Sequence, residues 1–245
     1  MPHRRVLILG GTTEGSALAR ALAGDARVEA TLSLAGVTRA PAPSPLPVRR
    51  GGFGGADGLA VFLRDGGFDA LVDATHPYAT TITRNALLAA ARAGVAHLRV
   101  ARPPWRPGPG DRWTEAATLA DAAARLGPTP RRVLLTIGRK DLAPFRDAPA
   151  HRYVLRSVDP PEPAELPGAT IVAARGPFAL DDELALLRRH RIDALVTKNS
   201  GGSATAAKLD AARALGVEVV MLARPAQESP GVPDVAAALA WFGLG

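Results

Sequence analysis

The stretch VLILGGTTEG, residues 6–15, holds three glycines, two threonines and a glutamate directly after four apolar residues. An apolar strand, a glycine turn and a helix start bring free N–H groups and the positive helix end to one place, where an anion can sit. Thr12 or Thr13 can cap the helix, and either hydroxyl can meet a phosphate. The run is not the dinucleotide fingerprint G-x-G-x-x-G, because counting from Gly10 the middle glycine is Thr12. An NAD-binding unit carries an acid on the ribose diol about 20 residues further on. Here the segment SLAG has no acid and Arg39 follows. A guanidinium suits the 2′-phosphate of NADP, so a bound dinucleotide is expected to be NADP rather than NAD. Arg39 is otherwise a solvated loop residue.

Three further turns carry reactive side chains. TKNSGG (197–202) brings Lys198, Asn199, Ser200, Gly201 and Gly202 before a helix expected from Ser203. Its N–H groups, hydroxyl and ammonium can hold a phosphate or carboxylate, or place a proton donor. DATHPY (73–78) offers Asp73, His76 and Tyr78, although Asp73 and Thr75 are equally suited to cap the helix that follows. TIGRKD (136–141) offers Arg139 and Lys140, for carboxylates or for a helix start. Only three of the 30 basic residues are lysine, at 140, 198 and 208. In so arginine-rich a chain, a lysine marks a place where a compact ammonium is useful, or chance retention.

These turns need a scaffold that places them together. Apolar runs alternate with helical patterns: strands at 6–10, 28–34, 47–50, 69–75 and 97–102, with helices at 14–23, 57–66 and 79–93. That alternation implies βαβ units and a parallel sheet. PPWRPGPGDRW follows, too rich in proline and glycine for either element. The pattern then resumes, with strands at 132–137, 151–158, 170–175, 193–197 and 217–223 and helices at 115–126, 179–190, 203–215 and 233–242. The expected division is a lobe over 1–103, a linker over 104–113 and a second lobe over 114–245.

The halves repeat one another in constant order. VLILGG (6–11) matches VLLTIG (133–138), and FDALVDATHP (68–77) matches IDALVTKNSG (192–201). AARAGVAHLRVARP (90–103) matches AARALGVEVVMLARP (211–225), and a fourth match sets Phe53 against Phe178. The expected fold is therefore α/β: two Rossmann-like lobes with parallel sheets, an internal duplication, and an active-site cleft between them. In open α/β sheets ligands sit beyond the carboxyl ends of the strands, where every turn named above falls.

Composition narrows the ligand. The formal net charge of +7 suits a polyanion, but the basic residues are scattered and aromatics make up only 4%. That argues against a base-stacking nucleic-acid surface and for a polyanionic small molecule, unless the charge is only a solvated arginine-rich surface. Cysteine is absent, which removes disulfides and thiolate chemistry, and the five histidines lack metal-ligand spacing. No apolar run approaches the ~20 residues of a membrane span, and the N-terminal one is too short for a signal peptide. A reducing cytoplasm is the expected compartment. A nucleotide-donor transferase, a two-lobed binding protein and a nucleic-acid binder are the rival classes.

GGTTEG, DATHPYA, IGRKDL and TKNSGGSATAAKLDAA, in this order and near these spacings, resemble the precorrin-6A reductases of cobalamin biosynthesis, the CobK/CbiJ family. The resemblance runs nearly end to end. It implies NADPH-dependent reduction of a ring double bond in precorrin-6A to give precorrin-6B, with cofactor and macrocycle in the interlobe cleft. It implies cofactor contacts at Gly11, Thr12, Thr13, Glu14, Gly15 and Arg39. It assigns the turns with Asp73, Arg139, Lys140, Asn199, Ser200, Gly201 and Gly202 to the substrate. A macrocycle ringed by carboxylates fits a basic protein, and hydride from nicotinamide needs neither metal nor thiol. Lys198, Tyr78 and His76 are the candidate proton donors.

Overall fold

The computed structural model describes residues 4–36, 42–226 and 229–244. The chain divides into two compact units. The first contains β1 (Arg4–Leu9), α1 (Thr13–Leu22), β2 (Val28–Leu34), β3 (Val48–Arg50), α2 (Gly55–Asp65), β4 (Ala70–Asp73), α3 (Thr80–Ala93) and β5 (Ala96–Arg99). The second contains β6 (Trp113–Ala116), α4 (Leu119–Ala124), β7 (Arg132–Thr136), α5 (Ala143–Arg146), β8 (Arg152–Ser157), β9 (Thr170–Ala173), α6 (Leu180–Arg189), β10 (Ala194–Lys198), α7 (Ala207–Leu215) and β11 (Glu218–Leu222). The last helix, α8 (Val235–Phe242), belongs to the first unit.

Each unit is built on one sheet whose strands all pair in parallel, as the βαβ pattern requires. The central strands show why. Val6, Leu7, Ile8 and Leu9 of β1 are all buried, so both faces of the strand are covered. Their alternation sends Val6 and Ile8 to the core under α1, and Leu7 and Leu9 to the core under α2 and α3. In β7, Val133 and Leu135 face one core and Leu134 the other.

The sheet orders are β3-β2-β1-β4-β5 in the first unit and β6-β11-β10-β7-β8-β9 in the second. Read from β9, the second is the first repeated, with β7 in the place of β1, β10 in that of β4, and β6 added beyond β11. The repeat in the sequence is thus also a repeat of topology. It extends further than the four matched segments. Beyond β5, Val232 forms a parallel bridge with Val100, just as Ala116 of β6 pairs with Leu222 of β11. The helices that follow match as well. Asp234 caps α8 and Thr118 caps α4, each accepting from the N–H three residues on, and Gly243 and Gly127 close the two segments with the same left-handed φ of 72°. Each unit therefore has a sixth strand position and a fourth α-helix. The second unit takes them from the start of its own segment, and the first takes them from the far end of the chain.

This corrects two boundaries. Residues 225–244, expected in the second lobe, complete the first: Ala238 and Phe242 are buried with Leu18 and Leu22 of α1. The segment expected as a linker belongs to the second unit, and Trp113 begins a strand where a helix was expected from residue 115.

Candidate active site

The GGTTEG turn has the geometry of an anion seat. Gly10 donates its N–H to Ser33 O at 2.9 Å, which ends β1 in register with β2. Gly11 has φ of +113°, a conformation open to glycine, and a side chain there would face empty space within 4 Å. Thr12 is the N-cap of α1. Its Oγ1 accepts the Gly15 N–H at 3.0 Å and donates to Ala74 O at 2.7 Å, tying the helix start to the chain leaving β4. Gly15 is buried, and a Cβ on it would lie 3.2 Å from Gly10 Cα and 3.4 Å from Ala74 Cβ. It therefore provides the close helix–strand packing that the last glycine of a dinucleotide fingerprint provides. The first N–H groups of α1, those of Thr13 and Glu14, stand where a helix has no internal acceptor. The Glu14 carboxylate is engaged by Arg102, beyond β5. These residues fit a dinucleotide pyrophosphate. Arg39 lies outside the described residues.

The DATHPY turn is organised by Asp73. Its carboxylate is wholly buried against Arg99, whose Nη1 lies 3.2 Å from Oδ2. Its Oδ1 accepts the Thr75 N–H at 3.0 Å and the Thr75 hydroxyl at 2.6 Å. Asp73 holds the turn from inside, where the sequence suggested a substrate contact, and it does not cap α3, whose N-cap is Ala79. His76 and Tyr78 are half-buried side by side, with ring centroids 5.6 Å apart. The Tyr78 N–H donates to His76 Nδ1 at 3.3 Å, which leaves Nε2 to carry the proton of the neutral ring.

In the second unit, Lys198 Nζ donates to Asp141 Oδ2 at 2.6 Å, joining the ends of β10 and β7. Gly138 makes room for this pair, since a Cβ there would lie 2.9 Å from Asp141 Oδ2. Arg139 and Lys140 form one turn of 3-10 helix with Asp141, Arg139 half-buried and Lys140 exposed. Only the four residues of α5 follow, so this turn lacks the long helix that makes its counterpart an anion seat.

The TKNSGG turn differs from expectation. Gly201 and Gly202 both take left-handed φ, 67° and 77°, and α7 starts at Ala207, not Ser203. The turn is anchored to a neighbour the sequence did not indicate. Asn199 Oδ1 accepts the Trp105 N–H at 2.8 Å, and Asn199 Nδ2 donates to Trp105 O at 3.0 Å. Trp105 Nε1 donates to Gly202 O at 3.0 Å, and Lys208 Nζ lies 4.6 Å over its ring. Arg224 Nε donates to Asn199 O at 3.1 Å. Ser200 is half-buried on the same turn. The retained lysines thus separate: Lys208 is buried and structural, while Lys198 sits at a strand end.

An open cavity of about 460 Å³ lies beside α2, lined in part by Arg49, Phe53 and Phe62, and contains none of these residues. Among the described residues no cluster of three or more His, Asp or Glu side chains could hold a metal ion. No described helix is long and apolar enough to cross a membrane.

A family model described as Precorrin-6x reductase CbiJ/CobK matches residues 5–243. The chain belongs to that family. A relative from Rhodococcus erythropolis named precorrin-6A reductase is 54% identical over 241 residues, covering 98% of this chain and 97% of that one. Another from Salmonella typhimurium, named cobalt-precorrin-6A reductase, is 34% identical over 238 residues, covering 90% of this chain and 87% of that one. A solved structure named CobK precorrin-6A reductase superposes with a TM-score of 0.92 at 45% identity, covering 98% of this chain and 96% of that chain. The CbiJ/CobK fold accordingly comprises both parallel sheets with their α/β layers.

Proposed function

We propose that the chain reduces a ring double bond of precorrin-6A in cobalamin biosynthesis, taking hydride from NADPH bound at the GGTTEG turn. The observation that carries this is a glycine-lined helix N-terminus after β1, in a chain that belongs to the CbiJ/CobK reductases. When bound, NADPH supplies a hydride, and a proton from a protein group or water completes the new CH–CH bond.

The chain's residues bind, orient and hold protons. Gly11 leaves space for a pyrophosphate, the Thr13 and Glu14 N–H groups donate to it, and Thr12 fixes the helix start against the end of β4. Arg139 and Lys140 offer cations to the acetate and propionate groups of the macrocycle. Gly201 and Gly202 let the TKNSGG backbone come close to the ligand, with Asn199 and Ser200 beside it. Three groups are the candidate proton donors: Lys198 at Nζ, His76 at Nε2 and Tyr78 at its hydroxyl. Lys198 leads them, since its ammonium is set in place by Asp141.

Identity favours the metal-free macrocycle. It is 50–54% to relatives named precorrin-6A reductase and 31–34% to those named cobalt-precorrin-6A reductase. The test is an anaerobic assay of NADPH oxidation with metal-free and cobalt-containing precorrin-6A. Faster turnover of the metal-free substrate with NADPH than with NADH is expected. Equal use of NADH, or no oxidation with either macrocycle, would defeat the proposal.

A further inference from the structure

The phosphate seat carries an acid in the worst place for an anionic ligand. Glu14 is in the first turn of α1, where a carboxylate is stabilised by the same helix end that a phosphate would use. It therefore steadies the empty helix and competes with the ligand. Arg102 resolves the conflict. It stands just past β5, the strand next to β4, and its Nη1 makes an ion pair with Glu14 Oε2. Both side chains are largely withdrawn from water, at 14% and 20% exposure, so solvent screens the pair only partly.

The second unit answers the same problem in the same register. Its β7 turn aligns Asp141 with Glu14, and Asp141 is neutralised there by Lys198. The residue aligned with Arg102 is Arg224, which instead holds the Asn199 carbonyl. The strand-end arginine is thus common to both units, and the first unit turns it on an acid at the nucleotide seat.

We infer that Arg102 is a positioning residue for the dinucleotide, acting through Glu14: it cancels the carboxylate's charge so that the start of α1 presents donors alone to the pyrophosphate. This rests on the reading that the seat takes NADPH, and it goes beyond that reading by naming the group that makes the seat usable.

The experiment is a fluorescence titration of the full chain with NADPH. Four proteins are compared: wild type, Arg102→Met, Glu14→Gln and the double variant, with the melting of each ligand-free protein measured alongside. An uncompensated carboxylate in the first turn repels the phosphate charge at an effective dielectric of about 20, so affinity for Arg102→Met is expected to fall on the order of tenfold to thirtyfold. Glu14→Gln binds at least as tightly as wild type, because its backbone N–H is kept. The double variant recovers to within about threefold of wild type, a rescue that general loosening of the fold would not give. Wild-type affinity in Arg102→Met overturns the inference. So does a double variant as weak as Arg102→Met, since Arg102 would then touch the nucleotide itself. A wild-type protein that does not bind NADPH fails the underlying reading instead, and with it this one.

Discussion

Replacing Asp73 by asparagine keeps the side chain's shape and removes its charge. The carboxylate is fully buried, and Arg99 opposite it is only 4% exposed, so the guanidinium would be left charged and dry. Stripping one member from a buried pair costs about 3–5 kcal/mol, most of it the penalty on the partner left behind. The Thr75 hydroxyl and N–H would also lose a charged acceptor. For a chain of this size each kcal/mol moves the midpoint by about 2–4 °C, so Asp73→Asn should melt roughly 6–20 °C lower. Scanning calorimetry is the assay of choice, because two units need not unfold in one transition. The loss falls in the first unit, and adding Arg99→Met should return much of it by removing the stranded charge. A variant that melts like the wild type but binds the macrocycle poorly would refute this account. It would show that Asp73 offers its carboxylate to a ligand, as the bare sequence suggests.

Other expectations follow from single contacts. Thr12→Val removes the cap on α1 and the bond to Ala74 O, and should cost about 1–2 kcal/mol in denaturant titration while weakening NADPH binding. Unchanged stability would show the cap to be idle. Lys198→Ala should lower kcat at least about a hundredfold if its ammonium is the proton donor, with stability within about 1 kcal/mol of wild type because the Asp141 pair is partly solvated. Wild-type kinetics would remove it from the site. His97 has its pKa lowered first by burial, against the pull of Asp73 and together with the push of Arg99, and its Nε2 finds no hydrogen-bond partner among the described residues. A base whose folded pKa is depressed contributes full stability above its unfolded pKa of about 6.5 and loses it as pH falls below that value. His97→Gln should therefore flatten the decline in stability below about pH 6.5, and an unaltered profile would rule His97 out as its source.

Local pattern was enough for the elements whose signal is local. Four successive buried apolar residues in β1, and the matched ALV runs of β4 and β10, could be read directly because a parallel strand covered on both faces is apolar throughout. What escaped depends on residues far away in the chain. Trp113–Ala116 is a strand because β11, a hundred residues later, offers an edge; its own residues are ambiguous and run into an alanine-rich helix. The apolar face of α8 fits a core without saying which one. Asp73 looks like a site residue because it stands at a strand end, and only its partner Arg99, brought alongside by the β4–β5 register, shows that it is interior. The contacts of Asn199 are equally remote, since its amide holds the backbone of Trp105, far back in the chain. One cue was present: the matched ARP triplets at 101–103 and 223–225 place Arg102 and Arg224 at equivalent strand ends, and each holds a neighbouring turn, Arg102 through Glu14 and Arg224 through the Asn199 carbonyl.

The return of the chain to its first unit also sets an order of maturation during synthesis. Residues 104–224 contain every strand of their own sheet, so this unit can close while the end of the chain is still in the ribosome. The first unit leaves the ribosome earlier but must wait. Until residues 230–244 emerge, β5 keeps an unpaired edge and the faces of Leu18 and Leu22 lack Ala238 and Phe242. An open edge beside bare apolar surface invites pairing with other chains, so the nascent first unit is where a chaperone would have most to protect. The half of the protein that is translated first is the half that folds to completion last.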